Sequence, residues 1–495
     1  MNTTPYLEVE GDATLVIFEN NKFRNCKLIS NKQLQLGRAV PGNDPDIVLF
    51  SPIAGRQHGE FICIEGQWFF IDKGSTNGTF YNGKKIEKGL NGKEKPIMLK
   101  SGDVLRIDSA NLNRPDERGV WMLFSTDFLN PNWEKIDLSE SEDVYIGRSR
   151  GNKIFIDLPY ISNTHAKISY SDGQFWVTDC DSLAGVWVNG EKIEKSCALK
   201  EKDKISLCDC HFVFSGKSLF YNINSVKEIS PDSNLTILKA DIETKKVMSN
   251  TGYGEKELIR DVHLEVKAGT LVALLGSSGA GKTTVMNCLN GMDRQGVRGT
   301  VLYKGEDLFK NFDRLKYLIG SVPQEEVFHE MLSVEEELKN AAIMRLPNDT
   351  TKDEIKVHVN KAIKQLNLEG VRKNKISKCS GGEKKRVNIA IELVAERQLL
   401  CLDEPDAGLD PGMKKELFGI LKRLAYEEGK SILVIIHDVS EIDLFDQIIM
   451  MAKHDNVGRL AFSGTPEAAK EYFGTSVKEA YGLLATEPEK YLKGI

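Results

Sequence analysis

Nowhere in the 495-residue chain do eighteen apolar residues run together, and a helix needs about 20 to cross a bilayer. A membrane-spanning helix is therefore not expected. The opening Met1-Asn-Thr-Thr-Pro-Tyr lacks the basic and apolar character of a secretion signal. A dominant charge is missing as well: 66 Lys and Arg against 72 Asp and Glu leave a net charge of −6, which removes the electrostatic case for a nucleic-acid partner. The nine cysteines show no paired framework, so a reducing, cytoplasmic setting is expected. Cys208-Asp209-Cys210-His211 has metal-binding residue types but no second ligand pair, and alternation along a strand explains it better.

What the chain does have is a set of nucleotide-handling motifs in its second half. Gly276-Ser277-Ser278-Gly279-Ala280-Gly281-Lys282-Thr283-Thr284 follows the apolar run Leu271–Leu275, read as a buried strand, and precedes a helical stretch from Thr283 to Leu289. The glycines let the backbone curl so that several N–H groups point at phosphate oxygens, and the helix start adds its positive dipole end. Lys282 supplies a charge near the outer phosphates, and Thr283 a hydroxyl for Mg²⁺.

Further on, Ser380-Gly381-Gly382-Glu383 opens a helix whose first N–H groups are exposed by two glycines. That is a second phosphate site. One chain does not easily fold this helix start onto its own phosphate loop, so it is read as completing the nucleotide site of a second copy. The strand Leu399–Leu402 ends in Asp403-Glu404, and the strand Ile432–Ile436 ends at His437. The run Lys384-Lys385-Arg386 is read as a solvated helix face.

These residues resemble the ATP-binding cassette (ABC) family from about Leu235 to Gly474. The resemblance implies an α/β phosphate-loop domain with a helical subdomain, which binds ATP and Mg²⁺ and converts ATP and water to ADP and phosphate. It implies two cassettes sandwiching two ATP molecules, with Lys282 and Thr283 facing Ser380 and Gly382 of the partner copy. Asp403 becomes the Mg²⁺ partner and Glu404 the general base. Gln324, in Ser321-Val-Pro-Gln324, becomes the residue reaching Mg²⁺ and the attacking water. His437 becomes the γ-phosphate sensor, and Tyr253 the aromatic stacking on adenine.

Ala407-Gly408-Leu409-Asp410 resembles the segment crossing the dimer seam, with Ala407 where the family usually has a small polar residue. Ser333-Val-Glu-Glu336 and the stretch from Asp353 to Leu366 read as helices of the subdomain that touches a membrane partner. Phe328-His-Glu-Met-Leu-Ser-Val and Gly458–Gly464 resemble the subfamily of eukaryotic lipid and drug exporters and its bacterial relatives.

Before residue 235 stands an imperfect repeat. Gly37-Arg38, Gly55-Arg-Gln-His58, Gly74-Ser75-Thr76-Asn77-Gly78-Thr79 and Asn82-Gly83 recur as Gly147-Arg148, Ser162-Asn-Thr-His165, Ser182-Leu-Ala184-Gly185-Val186 and Asn189-Gly190. Short alternating strands separated by turns suit an all-β sandwich with its functional residues in loops at one end.

Both copies resemble the forkhead-associated (FHA) domain, a reader of phosphothreonine peptides. The resemblance makes Arg38, Ser75 and Asn77 of the first copy, and Arg148 and Ser162 of the second, the phosphopeptide-binding residues. The first copy has Gly55 where the phosphate-binding serine belongs. The second has Ala184 for the asparagine and Val186 for the following threonine. Losing one hydroxyl contact costs about 1–3 kcal/mol, whereas losing the asparagine also removes orientation, so the first copy is the better reader. His58 and His165 are expected to hold loops by hydrogen bonds.

The expected organisation is an FHA-like domain over residues 1–128, a second over 129–217, a linker over 218–234, the cassette over 235–478 and a tail over 479–495. The expected partners are a second cassette, a separate membrane-spanning permease that would hold the chain at the cytoplasmic face of a membrane, and a phosphothreonine protein. A soluble cassette ATPase acting on a cytosolic assembly is the alternative.

Overall fold

The computed structural model describes residues 13–20, 22–28, 32–40, 42–64, 67–86, 94–100, 102–108, 118–126, 133–201, 203–215, 217–222, 235–248 and 254–492. Its contacts divide into two compact units. One is Met1–Tyr145, Ala166–Cys180 and Val186–Asn224; the other is Ile146–His165, Asp181–Gly185 and Ser225–Ile495.

The first repeat has a five-stranded sheet in the order Ile47–Leu49, Leu34–Arg38, Gly59–Ile64, Gln67–Asp72, Ile97–Met98. A six-stranded sheet runs Lys22–Leu28, Ala13–Glu19, Val120–Ser125, Val104–Ile107, Thr79–Tyr81, Lys84–Lys85. One apolar core takes Leu36, Phe61 and Phe70 from the former sheet and Leu15, Leu105 and Met122 from the latter. Side chains that alternate along a strand reach this core from every second position. In the second repeat the strands Ala166–Ser171 and Gln174–Asp179 pair antiparallel, as do Lys204–Leu207 and Cys210–Ser215. Cys208 lies at the turn of the latter hairpin with φ 52°, and His211 Nδ1 meets Ser206 Oγ at 3.0 Å.

The cassette is built on a ten-stranded sheet. Its parallel part runs Gln447–His454, Leu271–Gly276, Ser431–Ile435, Leu399–Asp403, Ile319–Val322. Every residue of Leu271–Gly276 and Ser431–Ile435 is buried, the continuous pattern required of strands covered on both faces. The chain leaves the ends of these strands at Gly276, Asp403 and Ile435, which gathers the phosphate loop, the paired acids and His437 at one edge. Antiparallel strands Thr236–Met248 and Glu255–Lys267 extend the sheet on the other side.

Helices Val334–Arg345, Lys352–Gln365 and Gly381–Leu393 each begin with a capping box, at Ser333/Glu336, Thr351/Glu354 and Ser380/Glu383. The reciprocal bonds satisfy orphan N–H groups at each helix start. Leu338, Ala342, Val359, Ile363 and Val387 carry these helices into the cassette core.

Two expected boundaries move. Ser218–Asn222, placed in the linker, is a strand paired with Trp133–Asp137. The expected tail includes most of helix Val477–Thr486, whose Ala480 and Leu484 join the cassette core together with Leu492. Its capping box at Ser476/Glu479 and its apolar face explain the docking. Among the described residues no helix is long and apolar enough to cross a membrane.

Candidate functional site

Left-handed backbone shapes the phosphate loop. Gly279 and Gly281 have φ of 73° and 85°, and a Cβ on Gly281 would stand 2.6 Å from Ile259 Cγ2. Glycine meets both demands, of conformation and of space. Ser278, Gly279 and Thr283 are exposed, Ser277 and Thr284 half-buried, and Ala280 buried. Lys282, at the start of helix Lys282–Leu289, folds back so that Nζ donates to Gly276 O at 2.8 Å and Ser277 O at 3.3 Å. Tyr481, which sequence reasoning missed, donates its hydroxyl to the same Gly276 oxygen at 3.1 Å.

Thr283 Oγ1 donates to Asp403 Oδ2 at 3.3 Å. Next door, the Glu404 carboxylate is held from both sides: Gln324 Nε2 donates to Oε2 at 2.8 Å, and His437 Nε2 meets Oε1 at 2.6 Å. Gln324 and His437 lie 80 and 33 chain positions from Glu404 and are brought to it by adjacent strand ends. Burial raises the Asp403 carboxyl above its ordinary range, and the charge of Glu404 adds to the rise. Burial likewise lowers the Lys282 ammonium, against the pull of Glu404 and Asp403. The site thus holds charges that stand to gain from compensating charge on a ligand.

The donor set fits Mg²⁺. Asp403 Oδ1 is buried without a hydrogen-bond partner, and the Thr283 hydroxyl lies against the other oxygen of the same carboxylate. Among the described residues no group of three or more His, Cys, Asp or Glu could hold a metal. Mg²⁺ needs no such group, since it takes one or two carboxylates and keeps its remaining positions for water and phosphate.

Ser380 is exposed and caps its own helix, accepting from Glu383 N at 3.3 Å while its N–H donates to Glu383 Oε2 at 2.7 Å. Gly381 is exposed and has open space beside it; Gly382 is buried against Met413. The run Lys384-Lys385-Arg386 is not a freely solvated face. Lys384 pairs with Glu330 at 3.2 Å, Lys385 with Glu326 at 3.4 Å and Arg386 with Glu416 at 3.1 Å. Acids of the preceding segment and of helix Pro411–Glu428 lie within reach of these cations and pair with them, while Arg386 Nε is buried without a hydrogen-bond partner. Ala407 and Gly408 are exposed ahead of Asp410, which caps that helix by accepting from Met413 N at 2.9 Å. Tyr253 lies outside the described residues.

In the first repeat Arg38 sits half-buried at the end of its strand, its Nε buried and without a hydrogen-bond partner. Ser75 Oγ donates to Asp72 Oδ2 at 2.8 Å, and Asn77 Nδ2 donates to Ile53 O at 2.7 Å. His58 is buried, accepting from Gly55 N at 2.9 Å and meeting Thr79 Oγ1 at 3.1 Å. Burial lowers its imidazole to about 4, against the charge of Asp72, which keeps it neutral. His165 repeats the pattern with Ser162 N at 3.3 Å and Gly185 O at 3.2 Å. Ser162 Oγ accepts from Leu183 N at 3.3 Å, and Arg148 Nε donates to Ile161 O at 3.1 Å.

Comparison with known proteins finds similarity in both halves. A family model described as ABC transporter matches residues 259–407, and the FHA domain model matches residues 34–108 and 144–208. The chain is 30% identical over 347 residues to the ABC transporter ATP-binding/permease protein Rv1747 of Mycobacterium tuberculosis (strain ATCC 25618 / H37Rv), covering 70% of this chain and 38% of that protein. It is 34% identical over 295 residues to ABC transporter G family member 28 of Arabidopsis thaliana, covering 57% and 24%. Among solved structures, cbiO1 from Clostridium perfringens, part of the ABC transporter complex cbiONQ, is 28% identical with a TM-score of 0.41, covering 52% of this chain and 97% of that one. The chain spans well under half the length of the curated relatives it matches.

Proposed function

We propose that this chain, two FHA domains joined to an ATPase of the ABC transporter family, is the ATP-hydrolysing subunit of a membrane transporter, and that its activity is regulated through phosphothreonine recognition. Two copies close face to face on ATP, each nucleotide held between Gly276–Thr284 of one and Ser380–Glu383 of the other. The motion drives a separate membrane-spanning permease at the cytoplasmic face of the membrane. The printed names of the curated relatives support the transporter reading.

The observation that carries the chemistry is the Glu404 carboxylate clamped by Gln324 at 2.8 Å and His437 at 2.6 Å beside Asp403. A carboxylate so held is positioned to take the proton of a water attacking the terminal phosphorus. Lys282 leaves the loop carbonyls for the outer phosphate oxygens, and the loop N–H groups neutralise the rest of the charge. His437 then exchanges its bond to Glu404 for the terminal phosphate. Mg²⁺, held by Thr283 and Asp403 with Gln324 nearby, would supply charge neutralisation across the phosphates. Phosphoryl transfer is stabilised mainly by such positioning and charge.

Regulation falls first to the FHA domain whose arginine is unengaged. Arg38, whose Nε has no hydrogen-bond partner, supports this reading: a guanidinium left unpaired by the protein is free to pair with a phosphate dianion.

Glu404→Gln preserves shape and removes the base. It is expected to lower turnover about 10²–10⁴-fold while ATP binding persists. Hydrolysis at the wild-type rate removes Glu404 from the base role. For the transporter reading, detergent extraction of membranes is expected to yield the chain together with a polypeptide carrying several apolar segments of about 20 residues. Full activity in a complex without such a polypeptide favours the cytosolic assembly instead.

A further inference from the structure

Arg148, Ser162 and Asn163 belong to loops of the second FHA domain that cluster with the cassette in one compact unit. These loops are already occupied. Asn163 N donates to Asp349 Oδ2 at 2.6 Å, Thr164 N approaches the same oxygen at 3.4 Å, and Asn163 Nδ2 donates to Asp349 O at 2.8 Å. Arg148 Nη1 is ion-paired with Glu354, and Nη2 donates to Thr350 Oγ1 at 3.4 Å. The Arg148 side chain is only 10% exposed in this setting.

Asp349, Thr350 and Glu354 belong to the turn and helix start joining Val334–Arg345 to Lys352–Gln365 in the helical subdomain. Two carboxylates therefore sit where a phosphothreonine dianion would, one on successive backbone N–H groups and one on the guanidinium. A buried polar chain makes a further link. Gln398 Nε2 donates to Tyr160 Oη at 2.9 Å, and Tyr303 Oη donates to Gln398 Oε1 at 3.1 Å. Tyr160, Tyr303 and Gln398 are no more than 2% exposed, so these two bonds are desolvated and count for more than bonds at a surface. In the first FHA domain, by contrast, the Nε of the matching Arg38 has no partner.

We propose that the second FHA domain is an intramolecular clamp: its phosphate-reading loops grip the Asp349–Glu354 segment of the cassette, with carboxylates in place of phosphate. Phosphothreonine competes for Arg148 and releases the helical subdomain. The two FHA domains thereby divide the work, the first reading a partner and the second restraining its own cassette. The regulatory consequence rests on the transporter-ATPase reading, in which the helical subdomain must move when cassettes close. The contact itself does not.

Hydrogen exchange of amides 349–356 in the full chain, without nucleotide, tests the clamp independently of hydrolysis. Protection is expected in the wild type and is expected to fall about tenfold or more in Arg148→Ala. Equal exchange in the two proteins overturns the clamp. A second measurement uses Arg38→Ala as background, so that only the second domain can read phosphate, with a degenerate phosphothreonine peptide library as probe. Adding Asp349→Ala and Glu354→Gln, the latter retaining an N3 side chain that caps the helix, is expected to tighten binding at least about fivefold, because the competing segment is gone. A further Arg148→Ala is expected to abolish the gain. No gain, or a gain that survives Arg148→Ala or appears equally with the unphosphorylated library, contradicts the proposal. Loss of ATPase activity with the protection pattern intact would instead count against the transporter-ATPase reading alone.

Discussion

Glu404 adopts a backbone φ of 49°, left-handed for a residue with a β-carbon. Such conformations persist only where surroundings over-determine them, and they cluster at functional sites. Here the surroundings are the bond from Glu404 N to Ile435 O at 3.2 Å and the two side-chain clamps. The phosphate loop shows the same economy of cause. Tyr481 Oη and Lys282 Nζ both donate to Gly276 O, so on the proposed function, in which Lys282 turns to a phosphate, the tyrosine is left holding the loop. Tyr481→Phe removes about 0.5–1.5 kcal/mol of hydrogen bonding. ATP affinity measured by calorimetry is expected to weaken about two- to tenfold, with turnover at saturating ATP little changed; unaltered affinity contradicts the role. His58 offers a pH test. Its folded-state value of about 4 lies below the ordinary 6.5, so the neutral ring contributes stability that is full above pH 6.5 and is lost as pH falls through 4. NMR titration of the imidazole is expected to show no protonation near pH 6.5 in the folded chain, and an ordinary midpoint there contradicts its burial as a neutral loop tie.

The helix starts carry most of what was legible in advance. Ser333-Val-Glu-Glu336 and Ser380-Gly-Gly-Glu383 place donor and acceptor three residues apart, and both helices begin there. Phosphate loop, paired acids and His437 were readable because each abuts an apolar run that became a strand. What escaped sequence reasoning was non-local. Helix Val477–Thr486 looked like a tail because the partner of Tyr481 lies 205 residues away, and Arg148 looked like an open phosphate reader because Glu354 lies 206 residues away. No periodicity encodes such a pairing. Gly281 sits where strand meets helix, and Gly281→Ala imposes both a left-handed alanine, costing about 1–2 kcal/mol, and an overpacked contact with Ile259. The chain is expected to fold with ATP binding reduced at least about tenfold. Wild-type affinity would show that the loop tolerates the added carbon.

Across the whole chain, repeats that match the FHA domain are joined to a segment that matches the ABC transporter family, and the proposed roles of both share one physical demand, the placement of donors around a phosphate dianion. In the cassette, Gln324 and His437 both spend hydrogen bonds on Glu404, while the Ser380 hydroxyl serves only its own helix start. On the proposed function, closure of two copies would bring Ser380–Glu383 of one to the phosphate loop of the other. Glu404→Gln is expected to hold that closed state because binding survives and turnover does not. Light scattering of this variant with saturating ATP and Mg²⁺ is expected to show the mass of two chains, reverting to one when ATP is replaced by ADP. A single-chain mass at saturating ATP, with ATP binding confirmed in the same sample, would contradict closure of two copies over shared nucleotide.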